Sequence, residues 1–318
     1  MQTSLRSVLV LFVLAAGLVQ GSTADEFYGT QFPCDTCGPS HPHVKVSVDA
    51  LYLYRDDSVG GNLLFDNVSG QPLLQLDDFL AEWEEGFRVG LRFYENDGRS
   101  WEIVGFGMDH YEQAGRRESG NGITFPFFSG VPANPETAYD VEYKAQFQGL
   151  EFNFRRPITD RIEVLAGARF IESSEGFDIK SQAFRGFFSA VDNDLYGAQI
   201  GADARLFRMG IIDIATTVKG GIFYNNANVY AEASTGGAPI RFYDDEDTVA
   251  FAGELQLGGI VPMGPQASLR FGYQLFYLDG IGLAPNQSNT FDIFTASGTL
   301  DESSLLYHGA FLGFDIFW

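Results

Sequence analysis

The segment FLGFDIFW, residues 311–318, decides the fold. Its residues alternate in character, with Phe314, Ile316 and Trp318 at every second position and the charged Asp315 between them. A period of two residues is typical of a β-strand with two different faces. Chain ends are usually polar and frayed because nothing holds them in place. An apolar, alternating end therefore predicts a strand that is paired in the folded protein.

The same alternation recurs along the chain and predicts about ten strands. The predicted strands cover residues 44–54, 86–94, 101–111, 150–154, 162–170, 196–206, 212–224, 249–257, 269–277 and 310–318. Wherever the two faces can be assigned, one set of positions is apolar and the other set carries charges of both signs. The charged positions of this second set are Lys45, Asp49, Arg88, Arg92, Glu151, Glu163, Arg169, Asp203, Arg205, Asp213, Lys219, Glu254, Arg270 and Asp315.

The connections between the predicted strands alternate in length. Short segments lie at 96–100, 155–160, 207–210 and 261–266, and long ones at 55–85, 112–140, 172–193, 225–247 and 279–303. Short turns on one side and long loops on the other are typical of transmembrane barrels of the outer membrane. The sequence thus predicts an all-β fold, a closed antiparallel transmembrane β-barrel of about ten strands over residues 44–318. Its turns are short and periplasmic, and its loops are long and extracellular.

Closure follows from the lipid environment, because an unpaired strand edge in lipid leaves backbone groups without hydrogen bonds. We therefore expect the last strand to pair with the first. Aromatic residues at strand ends predict two girdles at the membrane interfaces. The residues beside short turns are Phe93, Trp101, Phe154 and Trp318, and those beside long loops are Tyr52, Tyr54, Tyr111, Tyr224 and Tyr277. The charged set then faces the lumen.

The N-terminal region predicts export. Residues 1–24 have one positive charge, a short apolar run and then small residues, the arrangement of a secretory signal peptide. The following segment, residues 25–43, is predicted to be periplasmic and contains Cys34 and Cys37 in a CxxC motif. In an oxidising compartment this pair predicts a local disulfide or a reactive pair. A zinc site with nearby histidines is the alternative.

Composition narrows the classes of partner. The net charge of −22 argues against nucleic acid and against docking onto an anionic membrane surface. High Phe, Tyr and Gly counts of 30, 14 and 37 fit a β-rich protein. No glycine-rich phosphate loop or nucleophile motif stands out, and histidines near the strand ends favour no catalytic arrangement. We therefore predict no cofactor and no enzymatic activity, with a loop-borne hydrolase as a minor alternative.

Several stretches resemble a known family. LDDFLAEWEEGFRVGLRF (76–93), GLEFNFRR (149–156), DNDLYGAQIGADARLF (192–207) and LRFGYQLFYLDGIGLAP (269–285) resemble proteins of beta-barrel porin family seven. The resemblance runs from about Val44 to Trp318. It implies a location in the bacterial outer membrane. The ending with Phe314, Ile316 and Trp318 also resembles the signal that barrel-assembly machinery recognises.

Two functions remain open at this point. The first is porin-like passage of small hydrophilic solutes or ions through a narrow polar lumen. The second is a structural or surface-interaction barrel with a closed lumen and functional acidic extracellular loops. Interleaved charges in a barrel of this size favour a paired, nearly filled interior. The expected partners are the lipid bilayer of the outer membrane, the assembly machinery and small solutes or ions.

Overall fold

The computed structural model describes residues 43–57, 60–76, 83–124, 137–181, 185–234, 238–292 and 295–318. Thirteen strands, numbered in chain order, and one short helix lie in these ranges. Ten strands form the barrel: β1 (Val44–Asp57), β4 (Trp83–Tyr94), β5 (Ser100–Glu118), β7 (Ala138–Thr159), β8 (Ile162–Lys180), β9 (Arg185–Met209), β10 (Ile212–Ala233), β11 (Ile240–Pro262), β12 (Ala267–Gly282) and β13 (Glu302–Phe317).

A second, three-stranded sheet consists of β2 (Asn62–Asp66), β3 (Pro72–Gln75) and β6 (Ile123–Thr124), and the helix α1 is Gln287–Thr290. None of the helices in the described ranges is long and apolar enough to cross a membrane. The predicted signal peptide, residues 1–24, and the CxxC motif at Cys34 and Cys37 lie outside the described residues.

The barrel is closed and antiparallel, as predicted. Its strand order is β1-β13-β12-β11-β10-β9-β8-β7-β5-β4, and β4 pairs with β1. The first and last strands pair over thirteen positions, from Lys45 opposite Phe317 to Asp57 opposite Leu305. At the seam the backbone N–H of His43 donates to the carbonyl of Trp318 at 2.6 Å. Every strand edge of the barrel is thereby paired, which a sheet in lipid requires.

The hydrophobic pattern reverses part of the way along each long strand. In the lower part of β8, Val164 is apolar and points outward, while Arg169 is charged and buried inside. Beyond Phe170 the outward position is taken by Glu172, and the inward position by the fully buried Phe177. β7, β9 and β10 change in the same way. The reversal marks the membrane boundary, since the outer face meets lipid below it and water above it.

This reversal explains why the strands are longer than the sequence predicts. Six strands continue into the segments 112–140, 172–193 and 225–247, which the sequence predicts as extracellular loops. These strands are β5, β7, β8, β9, β10 and β11. The alternation continues there with opposite phase, so the apolar positions move from the outer face to the inner face. A pattern with one continuous apolar face therefore ends at the membrane boundary. The barrel wall therefore rises above the membrane on the side of these six strands.

The aromatic girdles have ring contacts at both interfaces. On the periplasmic side Trp101 lies 4.9 Å from Phe154, measured between ring centroids. On the extracellular side Tyr52 stacks on Trp83 at 4.8 Å. Tyr111 does not belong to the extracellular girdle in which the sequence places it. It lies inside the barrel with 7% exposure, because a register shift between Met108 and Tyr111 changes the face that it occupies.

Residues Phe314, Ile316 and Trp318 are exposed on the outer surface of β13 and beyond its end, at 48%, 43% and 41%. They complete the apolar band next to the periplasmic turns. From Trp318 to His308, ten residues of a strand tilted by ~45° rise ~23 Å, close to the height of an outer-membrane apolar band. Their role as an assembly signal stays a prediction.

Polar side chains form a row just above the extracellular girdle. Across β8, β9, β10 and β11, the register places Glu172 opposite Asp194, Asp194 opposite Asn226 and Asn226 opposite Asp247. Two carboxylates that face each other across strands repel. The pKa of Asp194 is raised by partial burial and then by the charges of Glu172 and Asp192.

Asp66 organises the small extracellular sheet. Its carboxylate accepts hydrogen bonds from the Ser119 hydroxyl, from the backbone and hydroxyl of Ser69 and from the Asn121 amide. These donors, with Ser119 first, hold the pKa of Asp66 well below its usual value. This side chain helps to join the loop after β2 to the residues that follow β5.

The assigned lipid face can be tested at Leu255, an outward residue near the middle of β11 with 41% exposure. Leu255→Arg should make folding into lipid vesicles less favourable by ~2–4 kcal/mol, because the arginine would lie at the bilayer midplane. The same substitution at Asp245, outward on β11 above the girdle, should be nearly neutral, since water surrounds that position. Equal costs at the two sites would contradict the assigned boundary.

The acidic row gives a pH prediction. A raised pKa means that the folded state holds the Asp194 proton more tightly than the unfolded chain, so ionisation of Asp194 destabilises the fold. Asp194→Asn should therefore raise the free energy of unfolding by ~0.2–1 kcal/mol at neutral pH. The gain should vanish as the pH falls through the pKa of Asp194, and shrink with added salt.

Thermal unfolding in detergent across pH measures this effect. Asp97→Asn is the control, because Asp97 pairs with Arg99 at 2.5 Å in a periplasmic turn and its loss removes an attraction instead of a repulsion. A stabilisation by Asp97→Asn equal to that of Asp194→Asn would contradict the repulsion account.

Candidate functional site in the barrel interior

The interior of the barrel has two parts of opposite character. The periplasmic part contains charged and polar side chains from all ten strands, and the extracellular part contains a buried apolar core. The charged part consists of three connected clusters, described in turn below.

The first cluster is a chain of alternating charges across β4, β1, β12 and β13. Asp49 accepts from Arg88 Nε at 2.8 Å and from Arg270 Nη2 at 2.7 Å. Arg270 Nε lies 3.0 Å from Asp315, and Asp315 lies 3.5 Å from Lys45 Nζ. Every member except Arg270 is at least nine-tenths buried, so these charges depend on one another for compensation.

The second cluster crosses the middle of the lumen. Lys219 Nζ lies 3.1 Å from Glu151 and 3.4 Å from Glu254. Arg169 Nη1 lies 3.2 Å from Glu254 and 3.5 Å from Glu151, and the Gln199 amide donates to Glu151 at 2.8 Å. Two cations and two carboxylates from β7, β8, β10 and β11 therefore form a square that spans the interior.

The third cluster lies toward the periplasmic turns. Arg155 donates from Nε to Glu102 at 2.7 Å and also pairs with Asp203 and Glu163. Arg92 pairs with Glu163 from the other side. Glu102 and Arg155 were not among the charged residues that the sequence predicts to face inside. Glu102 lies on the strand whose faces could not be assigned, and Arg155 lies in a segment that the sequence predicts as a turn.

Two of the sequence-predicted charges lie at the margin of this network. Asp213 is at the start of β10 and pairs at 2.6 Å with Arg208, whose side chain is 58% exposed. Arg205 is half-buried near the same turn. The other twelve predicted positions are buried or nearly buried inside the barrel and contact one another as described.

A cavity of about 120 Å³ remains beside the charged clusters, in the periplasmic half of the lumen. Its lining includes seven cationic and four acidic side chains. The cationic residues are Lys45, Arg88, Arg92, Arg155, Arg205, Lys219 and Arg270, and the acidic residues are Asp49, Glu102, Glu163 and Asp203. Within the described ranges, no group of three or more His, Cys, Asp and Glu side chains could hold a metal ion.

An aromatic layer lies across the lumen above the charged clusters. Phe106, Phe147, Phe276 and Tyr307 extend inward from β5, β7, β12 and β13. The ring centroids of Phe147 and Phe276 are 5.4 Å apart, and those of Phe147 and Tyr307 are 5.3 Å apart. β7 and β12 lie on opposite sides of the ten-stranded ring, so the Phe147–Phe276 contact spans its diameter.

Above the aromatic layer, residues 283–291 fold into the lumen, and we call them the inward segment. Gly280 starts this turn: it has a φ of +77° at a register shift between Asp279 and Ile281, a bulge that bends β12. Leu283 and Ala284 are fully buried, and Phe291 packs against the wall residue Phe187 at 6.4 Å between ring centroids.

Wall side chains bind the backbone where the chain turns inward. Asn193 accepts from Gly282 N at 2.9 Å and donates to Gly282 O at 2.8 Å. Ser189 donates to Ala284 O at 2.5 Å, and Ala284 N donates to Glu175 at 3.0 Å. A buried backbone needs such partners, and these wall residues supply them.

Glu175 also forms a fully buried ion pair. Arg55 Nη2 donates to Glu175 at 2.6 Å, and the two side chains are 1% and 0% exposed. The guanidinium lies over the ring of Tyr143, 5.3 Å from its centroid. The sequence does not predict Arg55 and Glu175 as interior residues, because both lie in segments predicted as loops. This ion pair joins β1, β8 and the inward segment across the lumen.

Comparisons with known proteins place the fold among bacterial outer-membrane barrels. No protein-family model matches the chain, and no curated protein does, so the resemblance to beta-barrel porin family seven stays a prediction. Among solved structures, the outer membrane protease OmpT from Escherichia coli has a TM-score of 0.50 and 9% identity. The match covers 90% of this chain and 100% of OmpT.

Two further structures match less well. The P. putida toluene transporter TodX has a TM-score of 0.35 and 9% identity, over 87% of this chain and 90% of TodX. Ail, the attachment invasion locus protein of Yersinia pestis, has a TM-score of 0.26 and 10% identity, over 87% of this chain and 99% of Ail.

One prediction from the sequence is contradicted by these comparisons. We predicted that the protein is not an enzyme, yet OmpT, which shares the fold over nearly the whole chain, is a protease. A fold similar to that of this chain thus occurs in an enzyme, and the fold does not support the expectation of no enzymatic activity. The closed barrel, the lipid-facing band and the likeness to OmpT together show the fold of a bacterial outer-membrane β-barrel.

The central charged square gives a stability prediction. Lys219→Met should lower the free energy of unfolding by ~3–5 kcal/mol, because Glu151 and Glu254 lose a buried partner. Adding Glu254→Gln to Lys219→Met should restore part of the loss, since one uncompensated carboxylate is removed. Urea titration in lipid vesicles, followed by tryptophan fluorescence, measures each variant.

Arg208→Met is the control for this experiment. Arg208 forms an exposed ion pair with Asp213, and such pairs contribute ~0–1 kcal/mol. If Lys219→Met lowered the free energy of unfolding by no more than Arg208→Met does, the charges of the central square would not depend on one another for compensation.

Proposed function

We propose that this protein is a closed outer-membrane barrel whose working part is its extracellular half, a folded platform for interactions at the cell surface. The observation that carries the proposal is the filled lumen. The aromatic layer contacts itself across the barrel, and the inward segment occupies the space above it with its backbone bonded to the wall.

The extracellular half is built as a packed domain. Its inward residues, such as Tyr143, Phe177 and Val229, are buried to 1% exposure or less and form one core with the inward segment. A core of this kind stabilises the wall above the membrane, where lipid no longer supports it. A rigid wall with a polar outer face is suited to present a fixed surface to partners outside the cell.

Porin-like passage is the second candidate. The polar cavity in the periplasmic half favours it, because charged walls suit hydrated solutes. A continuous path would have to pass the Phe147–Phe276 contact and the buried Arg55–Glu175 ion pair. Apolar constrictions of this kind stop ions by excluding water. The geometry therefore favours the closed barrel.

Single-channel recording in planar bilayers tests the proposal. The purified protein should insert without producing stable conductance steps, and liposomes that contain it should not swell in small sugars. Insertion is verified independently by heat-modifiable gel mobility of the protein recovered from the same vesicles. Stable, reproducible steps from the inserted protein would contradict the closed lumen and support the porin-like function.

A matched variant separates a closed lumen from failed reconstitution. Phe147→Ala and Phe276→Ala together remove the rings that meet across the barrel. If the aromatic layer contributes to closure, this variant should show more current noise and brief openings than the wild type. Identical silence of both proteins would place the main barrier in the inward segment.

A further inference from the structure

We propose that the cavity in the periplasmic half of the barrel is a binding site for a small free oxyanion of the phosphate class. This inference goes beyond the proposed function, which concerns the opposite end of the molecule. It rests on the shape of the cavity, the charges around it and the chemistry of the donors that line it.

The shape follows from small residues on one wall. Ala215, Thr217 and Gly258 of β10 and β11 line the cavity, while long charged side chains come from the strands opposite. Gly258 cannot carry a side chain, because a Cβ there would lie 2.4 Å from the carbonyl oxygen of Phe271. The space is therefore fixed by backbone packing. At about 120 Å³ it exceeds the volume that a single water needs, ~10–15 Å³ on the same kind of measure.

The charge around this space is positive, although the whole chain has a net charge of −22. The lining has seven cationic side chains against four acidic ones. Carboxylates outside the lining, such as Asp315, Glu151 and Glu254, also contact lining cations, so the positive excess belongs to the lining itself. In a buried, low-dielectric site an excess of cations in the lining favours an anion over a cation as the ligand.

The donors have the geometry that oxyanions require. Five of the seven cations are arginines, whose planar guanidinium groups carry five N–H donors and bind phosphate in a bidentate way. Lys45 also lines the cavity, and its ammonium has three N–H donors, one of which bonds Asp315 at 3.5 Å.

Access is from the periplasm, and the other end is closed. The lining includes Arg205 and Ile260, which lie close to the periplasmic turns, and the aromatic layer blocks the way above Arg88 and Lys219. Because the cavity has one entrance, a ligand can bind in it but cannot pass through the barrel. Since the cavity is separated from lipid by the barrel wall, the ligand is a free anion and not a lipid headgroup.

The test is titration of the purified protein in detergent with inorganic phosphate, by calorimetry, at constant ionic strength maintained with chloride. The wild type should bind phosphate saturably. Ala215→Leu fills the cavity and should weaken binding about tenfold or more, while Lys45→Gln removes one donor charge and should weaken it by about the same factor. Arg270 keeps Asp315 paired in Lys45→Gln, so that variant should fold.

Ala198→Leu is the matched control, because Ala198 faces outward on β9 and adds the same atoms to the lipid side. It should bind phosphate as the wild type does. Folding of each variant is verified by heat-modifiable gel mobility, and if Ala215→Leu does not fold, Lys45→Gln decides.

The absence of saturable binding by the wild type would overturn the proposal. Wild-type affinity in a folded Lys45→Gln protein would overturn it as well, and so would wild-type affinity in a folded Ala215→Leu protein. Conductance of the barrel is a separate measurement, so failure of this site leaves the closed-lumen proposal standing, and the reverse also holds.

Discussion

Pairing of the first strand with the last is the constraint on which the rest of the structure depends. In lipid, backbone N–H and C=O groups have no water to bond, so a spanning sheet has to close on itself. The seam between β1 and β13 completes the ring, and the two strands also carry Lys45, Asp49 and Asp315 into the lumen. Closure therefore fixes the lipid face and, through the period of two, the identity of the inward residues.

Closure of only ten strands leaves an interior too small for a wide channel and too large for backbone alone to fill. The periplasmic half is filled by charges in alternating order, so each buried carboxylate lies near a cation. Buried ion pairs add little net stability compared with apolar packing, but the loss of one partner is costly. The network thus constrains the interior to one arrangement, and a cavity remains where Gly258 and Ala215 are too small to fill the space.

The extracellular half follows a different rule because its outer face meets water. There the strands have a polar outside and an apolar inside, as in a soluble β-domain. The inward segment completes this core, and Asn193, Ser189 and Glu175 bind the backbone that it brings inside. The protein is thus a membrane barrel below the boundary and a packed domain above it, built on the same continuous strands.

The sequence by itself determined the barrel, because alternation, connection lengths and the apolar ending follow directly from lipid on one face and a polar interior on the other. It located all ten barrel strands and most of the buried charges. It did not determine how far the strands extend, because the apolar positions change face at the membrane boundary. Beyond that boundary the same alternation no longer continues the apolar outer face, so the sequence predicts loops there. Tertiary structure alone decided that Phe147 meets Phe276 across the lumen, that Arg55 pairs with Glu175, and that residues 283–291 fold inward. These contacts join residues far apart in the chain, and only the closed ring brings them within reach of one another.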